Sequence, residues 1–180
     1  MSDKVYSYKG KTYPGYLKNG NAMSHIWPAA KWFCTGQGLD IGAAEWPFPG
    51  ATPIDVKENG EFHAMNLPDG FYDYVFSSHC LEHLPDYVDA LIYWREKIKP
   101  GGWLFLYLPH PDMEYWRPQN CRKHVHLFWP IDVEKLLHDL EFRNVVRSER
   151  DAYWSFFIAG QVPMDGNWRF EISNDSGSSK

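Results

Sequence analysis

The residues most able to do chemistry crowd into one segment, Ser77-Ser78-His79-Cys80-Leu81-Glu82-His83. His79 and His83 are four apart and share a face if a helical turn follows. An imidazole changes charge near neutral pH, so either histidine is a candidate catalytic base for an acceptor hydroxyl. Glu82 is expected to point elsewhere and brace a neighbouring loop. His110, behind the apolar run Leu104-Phe105-Leu106-Tyr107-Leu108, is a third candidate. Metal chemistry is the competing use. His79, Cys80 and His83, with Cys121, His124 and His126 from a second segment, offer nitrogen and sulfur ligands. Neither segment has a standard zinc spacing, so no resident metal is expected. Two acids stand apart from this cluster. Asp40 lies two residues before Gly42, and Asp55 ends the apolar stretch Ala51-Thr52-Pro53-Ile54. An acid at a strand end can accept hydrogen bonds from both hydroxyls of a ribose, and Gly42 lets backbone approach a ligand closely.

These groups act together only if strands and helices bring them to one edge. The segments "GLDI", "ATPIDV" and "YDYVFSS" read as three short strands. A helix is expected after Asp86 as N-cap, with Val88, Leu91, Ile92 and Ile98 on its period. Lys97, Lys99 and Pro100-Gly101-Gly102 supply its stop. "WLFLYLP" then reads as a strand buried on both faces. A second helix is expected over Ile131 to Leu140, and "NVVRSE" and "AYWSFFIAG" as two closing strands. Such alternation predicts an α/β domain with a mostly parallel sheet, whose ligands sit beyond the carboxyl ends of the strands. The first half is stripped down. About nine residues separate the first two strands, and Pro47 and Pro49 exclude a helix between them. The expected division is an arm or lid over 1–37, a domain over 38–162, and a partly disordered tail over 163–180.

The stretches Leu39 to Val56, Leu67 to Leu84, Ile98 to His110 and His124 to Phe142 carry a resemblance. Together they resemble the class I S-adenosylmethionine-dependent methyltransferases, in particular small type-11-like domains, here truncated in the first half. The resemblance implies a Rossmann-like, mostly parallel sheet with helices on both faces, reduced at its N-terminal edge and ending in an antiparallel hairpin. It implies S-adenosylmethionine as cofactor, S-adenosylhomocysteine as product, and direct displacement of the methyl group onto a small-molecule or saccharide-type acceptor. Carried onto this chain, Asp40, Gly42 and Ala43 surround the methionine end, and Asp55 with Val56 holds the ribose. His63, where the family usually has an acid, would line the adenine with Ala64 and Met65. Ser77, Ser78 and His79 would face the sulfonium. Tyr115, Trp116 and Arg117 are expected around the acceptor.

Composition narrows the alternatives. The net charge is −5 and no basic stripe appears, which argues against nucleic acid as partner. The apolar run "WLFLYL" is too short for a bilayer, and the first residues lack an apolar signal core. Three scattered cysteines fit a reducing cytoplasm better than a disulfide scaffold. A different reading takes its force from Ala43, Ala44 and Trp46, which stand where the family loop carries glycines. On that reading the chain is a non-catalytic methyltransferase-like binding or scaffold protein. A Cys/His metal-binding protein is a third reading.

Overall fold

Alternation along the strands sorts side chains onto two faces of one sheet, and each face acquires its own cover. The computed structural model describes residues 5–15, 20–55 and 66–165. Its elements are β1 (Val5–Tyr8), β2 (Lys11–Pro14), α1 (Met23–Ala30), β3 (Gly38–Ile41), β4 (Ala51–Ile54), β5 (Tyr72–Ser78), α2 (Tyr87–Lys97), β6 (Ile98–Pro109), α3 (Pro130–Asp139), β7 (Arg143–Arg147) and β8 (Ser155–Gln161). β1 and β2 form a separate antiparallel ribbon. The other six strands form one sheet in the order β4-β3-β5-β6-β8-β7. The β3–β4, β3–β5 and β5–β6 pairs are parallel, and β8 runs antiparallel to both β6 and β7. This is the expected Rossmann-like architecture, with the antiparallel pair at the C-terminal edge. No helix among the described residues is long and apolar enough to cross a membrane.

Leu39, Ile41, Val75, Leu104, Leu106 and Ile158 point to one face, where α2 contributes Ala90, Leu91 and Trp94, and α3 contributes Val133 and Leu137. Tyr74, Phe76, Phe105, Tyr107 and Ala159 point to the other, where α1 buries Ile26 and Ala30. The strand period of two thus sets one aliphatic and one aromatic core layer.

The link from β3 to β4 contains no helix. Residues 42–50 form a loop instead, and Phe48 takes over the covering function. Its ring is buried, 4.6 Å from Phe76 and 5.9 Å from Tyr74 between centroids. The parallel pair is held because the loop's own amides return to the strand ends. Phe48 N–H donates to the Asp40 carboxylate at 2.6 Å, and Gly42 N–H donates to the Ile54 carbonyl at 2.8 Å.

Three local expectations are corrected. Asp86 precedes α2 but makes no side-chain cap. The buried face of α2 is Ala90, Leu91 and Trp94, while Val88 is exposed. β6 begins at Ile98, ahead of the apolar run. A register shift against β5 between Tyr72 and Tyr74 absorbs the Pro100-Gly101-Gly102 stretch.

Candidate ligand site at the switch point

Strand order reverses between β3 and β5, since β3 leads on to β4 and β5 leads to β6 on the opposite side. In an open α/β sheet this crevice is the natural place for a ligand. A cavity of about 570 Å³ opens there. β3 and its loop contribute Asp40, Gly42, Ala43, Ala44 and Trp46, and the end of β5 contributes Ser78 and His79. His83, Tyr115, Trp116 and His124 form the far wall, and residues 20–23 of the N-terminal arm close a third side.

Of the residues expected from sequence, Asp40, Gly42, Ala43, Ser78, His79 and His83 reach this cavity together. Asp55 ends β4 close by, where its carboxylate accepts the Ala44 N–H at 2.9 Å. Ser77 does not face the cavity. It is buried, and its hydroxyl donates to the Ile41 carbonyl at 2.8 Å, tying β5 to β3. Val56, His63, Ala64 and Met65 lie outside the described residues. His110 is buried elsewhere, edge-on to Trp129, with its Nδ1 accepting the Asp112 N–H at 3.2 Å. Tyr115 and Trp116 line the cavity, whereas Arg117 Nε donates to the Pro111 carbonyl at 2.9 Å.

Backbone geometry at the cavity is demanding. Gly42 has φ +82°, and a Cβ there would sit 2.5 Å from the Cβ of Cys80. Asn21 (φ +66°), Ala44 (φ +47°) and His79 (φ +50°) also occupy the left-handed region, which is unusual for residues with a Cβ and clusters at functional sites. A Cβ on Gly20 would land 2.3 Å from the Trp46 indole. The arm therefore lies directly on the loop that Trp46 belongs to, and Trp46 becomes wall rather than plug.

Glu82 is the largest departure from expectation. It does not point away: its side chain is fully buried at the centre of three histidines. Its Oε1 lies 3.7 Å from His79 Nδ1 and 3.9 Å from Nε2 of both His83 and His124. The turn Leu81–His83 is a 3₁₀ helix, and its tighter winding brings Glu82 to the histidine side. Only its main-chain carbonyl braces a loop, accepting the Val125 and His126 amides at 2.9 and 3.2 Å. Burial pushes the Glu82 carboxyl up to about 8 and His124 down to about 4, the latter helped by neighbouring His83. Burial likewise holds His79 well below its ordinary value, with His124, His83 and His25 adding repulsion. Asp40 is raised to about 7, by burial first and by Asp55 to a lesser extent, against the stabilising Phe48 amide.

A pre-formed cavity at the switch point of a doubly wound sheet, with acids at the ends of its first two parallel strands, is the arrangement in which such sheets take nucleotide-type ligands. Residues 18–146 match the model of the methyltransferase domain family, so the chain belongs to that family. No curated protein matches the sequence. Solved structures share the fold at low identity. A possible histamine N-methyltransferase from Thermotoga maritima matches at TM-score 0.62 and 16% identity, covering 81% of this chain and 92% of its own. An S-adenosylmethionine-dependent methyltransferase from Archaeoglobus fulgidus matches at 0.57 and 17%, covering 77% and 91%. A phosphoethanolamine N-methyltransferase from Haemonchus contortus, in complex with S-adenosylmethionine, matches at 0.57 and 13%, covering 78% and 52%.

Proposed function

We propose that the chain is an S-adenosylmethionine-dependent methyltransferase that transfers a methyl group by direct displacement to a small-molecule or saccharide-type acceptor. S-adenosylmethionine is the cofactor the family implies. The observation that carries the reading is the convergence of Asp40, Gly42 and His79 on one cavity at the switch point, in a chain of this family. Asp55 is assigned to the ribose, and Asp40 with Gly42 and Ala43 to the methionine end. The sulfonium supplies the reactive methyl, and the protein's task is alignment and exclusion of water. Trp116, Tyr115 and the arm residues Asn21 and Met23 wall the remaining space, which is assigned to the acceptor.

Of the two expected bases, His83 is the better placed. Its Nδ1 lies 2.7 Å from the Lys123 carbonyl. A carbonyl only accepts, so Nδ1 holds the proton and Nε2 keeps its lone pair. His79 instead has its Nε2 3.1 Å from the Ser155 hydroxyl, and its edge packed on Tyr107 and Trp116. Titration calorimetry with S-adenosylmethionine and S-adenosylhomocysteine tests the reading. Binding of both at one site is expected; no heat and no thermal shift with either rejects it. The non-catalytic reading keeps one specific support, Ala44 at a left-handed φ where glycine is easiest. Binding without turnover across an acceptor panel would favour it.

A further inference from the structure

We propose that Glu82, His83 and His124 form a binding site for one divalent transition-metal cation in the cavity wall. One nitrogen from each histidine and one Glu82 oxygen all lie within 4.8 Å of one another. The two histidines come from the two segments that carry both cysteine and histidine. The structure exchanges those cysteines for a carboxylate, with Cys80 buried under Gly42 and Cys121 half-buried in the cavity wall.

Three observations point to a cation. The Glu82 side chain is completely buried, yet neither of its oxygens closes a well-formed hydrogen bond, and only its own amide offsets part of the burial. A buried carboxyl without such a bond either keeps its proton or takes a cation, and a cation can displace that proton. Second, His83 Nδ1 donates to the Lys123 carbonyl, so in the neutral ring the Nε2 lone pair lies 3.9 Å from the Glu82 oxygen. Lone pair against carboxyl oxygen is favourable only with a proton or a metal cation between them. A ligating histidine commonly donates its other ring N–H to a main-chain carbonyl in this way. Third, His124 Nε2 approaches the same oxygen at 3.9 Å, with its ring at 83° to that of His83, so the two imidazoles converge from different directions.

Glu82 stands near metal-bridging distance of both histidines. Metal–nitrogen and metal–oxygen bonds of about 2.1 Å in a tetrahedron place ligands roughly 3.4 Å apart. The two Glu82–histidine separations of 3.9 Å need a contraction of about half an ångström, and the two histidine nitrogens, within 4.8 Å of each other, close to the same spacing by side-chain torsion. A set of two imidazoles and one carboxylate suits zinc, cobalt or iron(II), and three protein ligands leave coordination open. His83 and His124 both line the cavity, with Glu82 behind them. On the methyl-transfer reading, an acceptor oxygen would take the open position, and the cation rather than His83 would lower its pKa. The metal site itself does not depend on that reading.

Tag-free protein, stripped with EDTA and desalted, is titrated with cobalt(II) chloride and back-titrated with zinc chloride. Expected are one equivalent of cobalt, visible d–d absorption, displacement by zinc, and a raised melting temperature. Glu82→Gln keeps the shape and His124→Ala removes a ligand; each is expected to weaken binding at least tenfold. Circular dichroism confirms folding, and if one variant does not fold the other decides. The proposal is overturned if wild type binds neither ion, or if the folded variants bind as wild type does. An intense near-ultraviolet thiolate band would also overturn it, by placing a cysteine in the site. S-adenosylhomocysteine calorimetry on the same apo protein reads the cofactor site separately, so either idea can fail alone.

Discussion

Asp40 shows how one buried carboxyl ties stability to function. Its ordinary pKa of 3.8 rises to about 7 in the fold, so the folded chain keeps a proton that the unfolded chain releases between those values. Stability contributed by this group is therefore complete below the lower value and declines as pH rises through the upper one, by up to about 1.4 kcal/mol per pH unit. Glu82 adds a contribution of the same sign between 4.5 and about 8. Asp40→Asn keeps an acceptor for the Phe48 amide, so it is expected to flatten one proton's share of that slope between pH 4 and 7. Urea melts at several pH values measure it, and an unchanged slope would place the proton elsewhere. Asp55→Ala makes a separate claim. Its carboxylate is assigned to the ribose, and hydrogen bonds to charged groups contribute roughly 1.5–3 kcal/mol, so S-adenosylhomocysteine affinity should fall about 10–100-fold. The domain should stay folded, because Asp55 stands just beyond the end of β4 and outside both core layers; the Ala44 amide is one partner it gives up. Unchanged affinity would show that the ribose lies elsewhere.

At the scale of elements, the β3–β4 link is the feature that needs explaining. A parallel connection normally carries a helix whose apolar stripe covers the sheet. Here nine residues, 42–50, cross with one buried aromatic, Phe48, seated on Tyr74 and Phe76. Phe48→Ala therefore removes most of what covers that part of the sheet. The expected loss is about 3–5 kcal/mol, the usual range for a buried phenylalanine, seen as a lower urea midpoint. A loss below about 1 kcal/mol would mean that the hydrogen bonds of Asp40 and Ile54 hold the loop unaided. The strands and helices themselves were mostly legible from sequence, because each carries its own period. On α2, Leu91 and Ile92 meet the core as their period predicts, and Val88 is the one member of the stripe that does not. In the fold, Trp94 is fully buried and Val88 is left at the surface.

For the whole molecule, the N-terminal arm links the sheet to the cavity. α1 closes the aromatic layer through Ile26 and Ala30, while Asn21, Ala22 and Met23 continue into the cavity wall. Ile26→Asp would bury an unpartnered carboxylate in the aromatic layer, a cost of several kcal/mol that undocking the arm relieves. Faster proteolysis in the arm and weaker S-adenosylhomocysteine binding are expected together, with far-ultraviolet dichroism largely retained. Unchanged cleavage would show that the arm is held by other contacts.

The sequence by itself determined the parallel α/β core, the short loop in place of a helix, and the acids and glycine at the strand ends. These follow from local patterns: periodicity, proline, and residue type at a strand end. Only the tertiary structure decided which polar groups meet. Ser77 turned inward to Ile41, Arg117 to Pro111, and His110 to Trp129. Glu82 and His83 joined His124 across forty intervening positions of chain. No spacing rule covers that encounter, because it depends on where the 3₁₀ turn after β5 aims its side chains and on how the loop after β6 folds back over them.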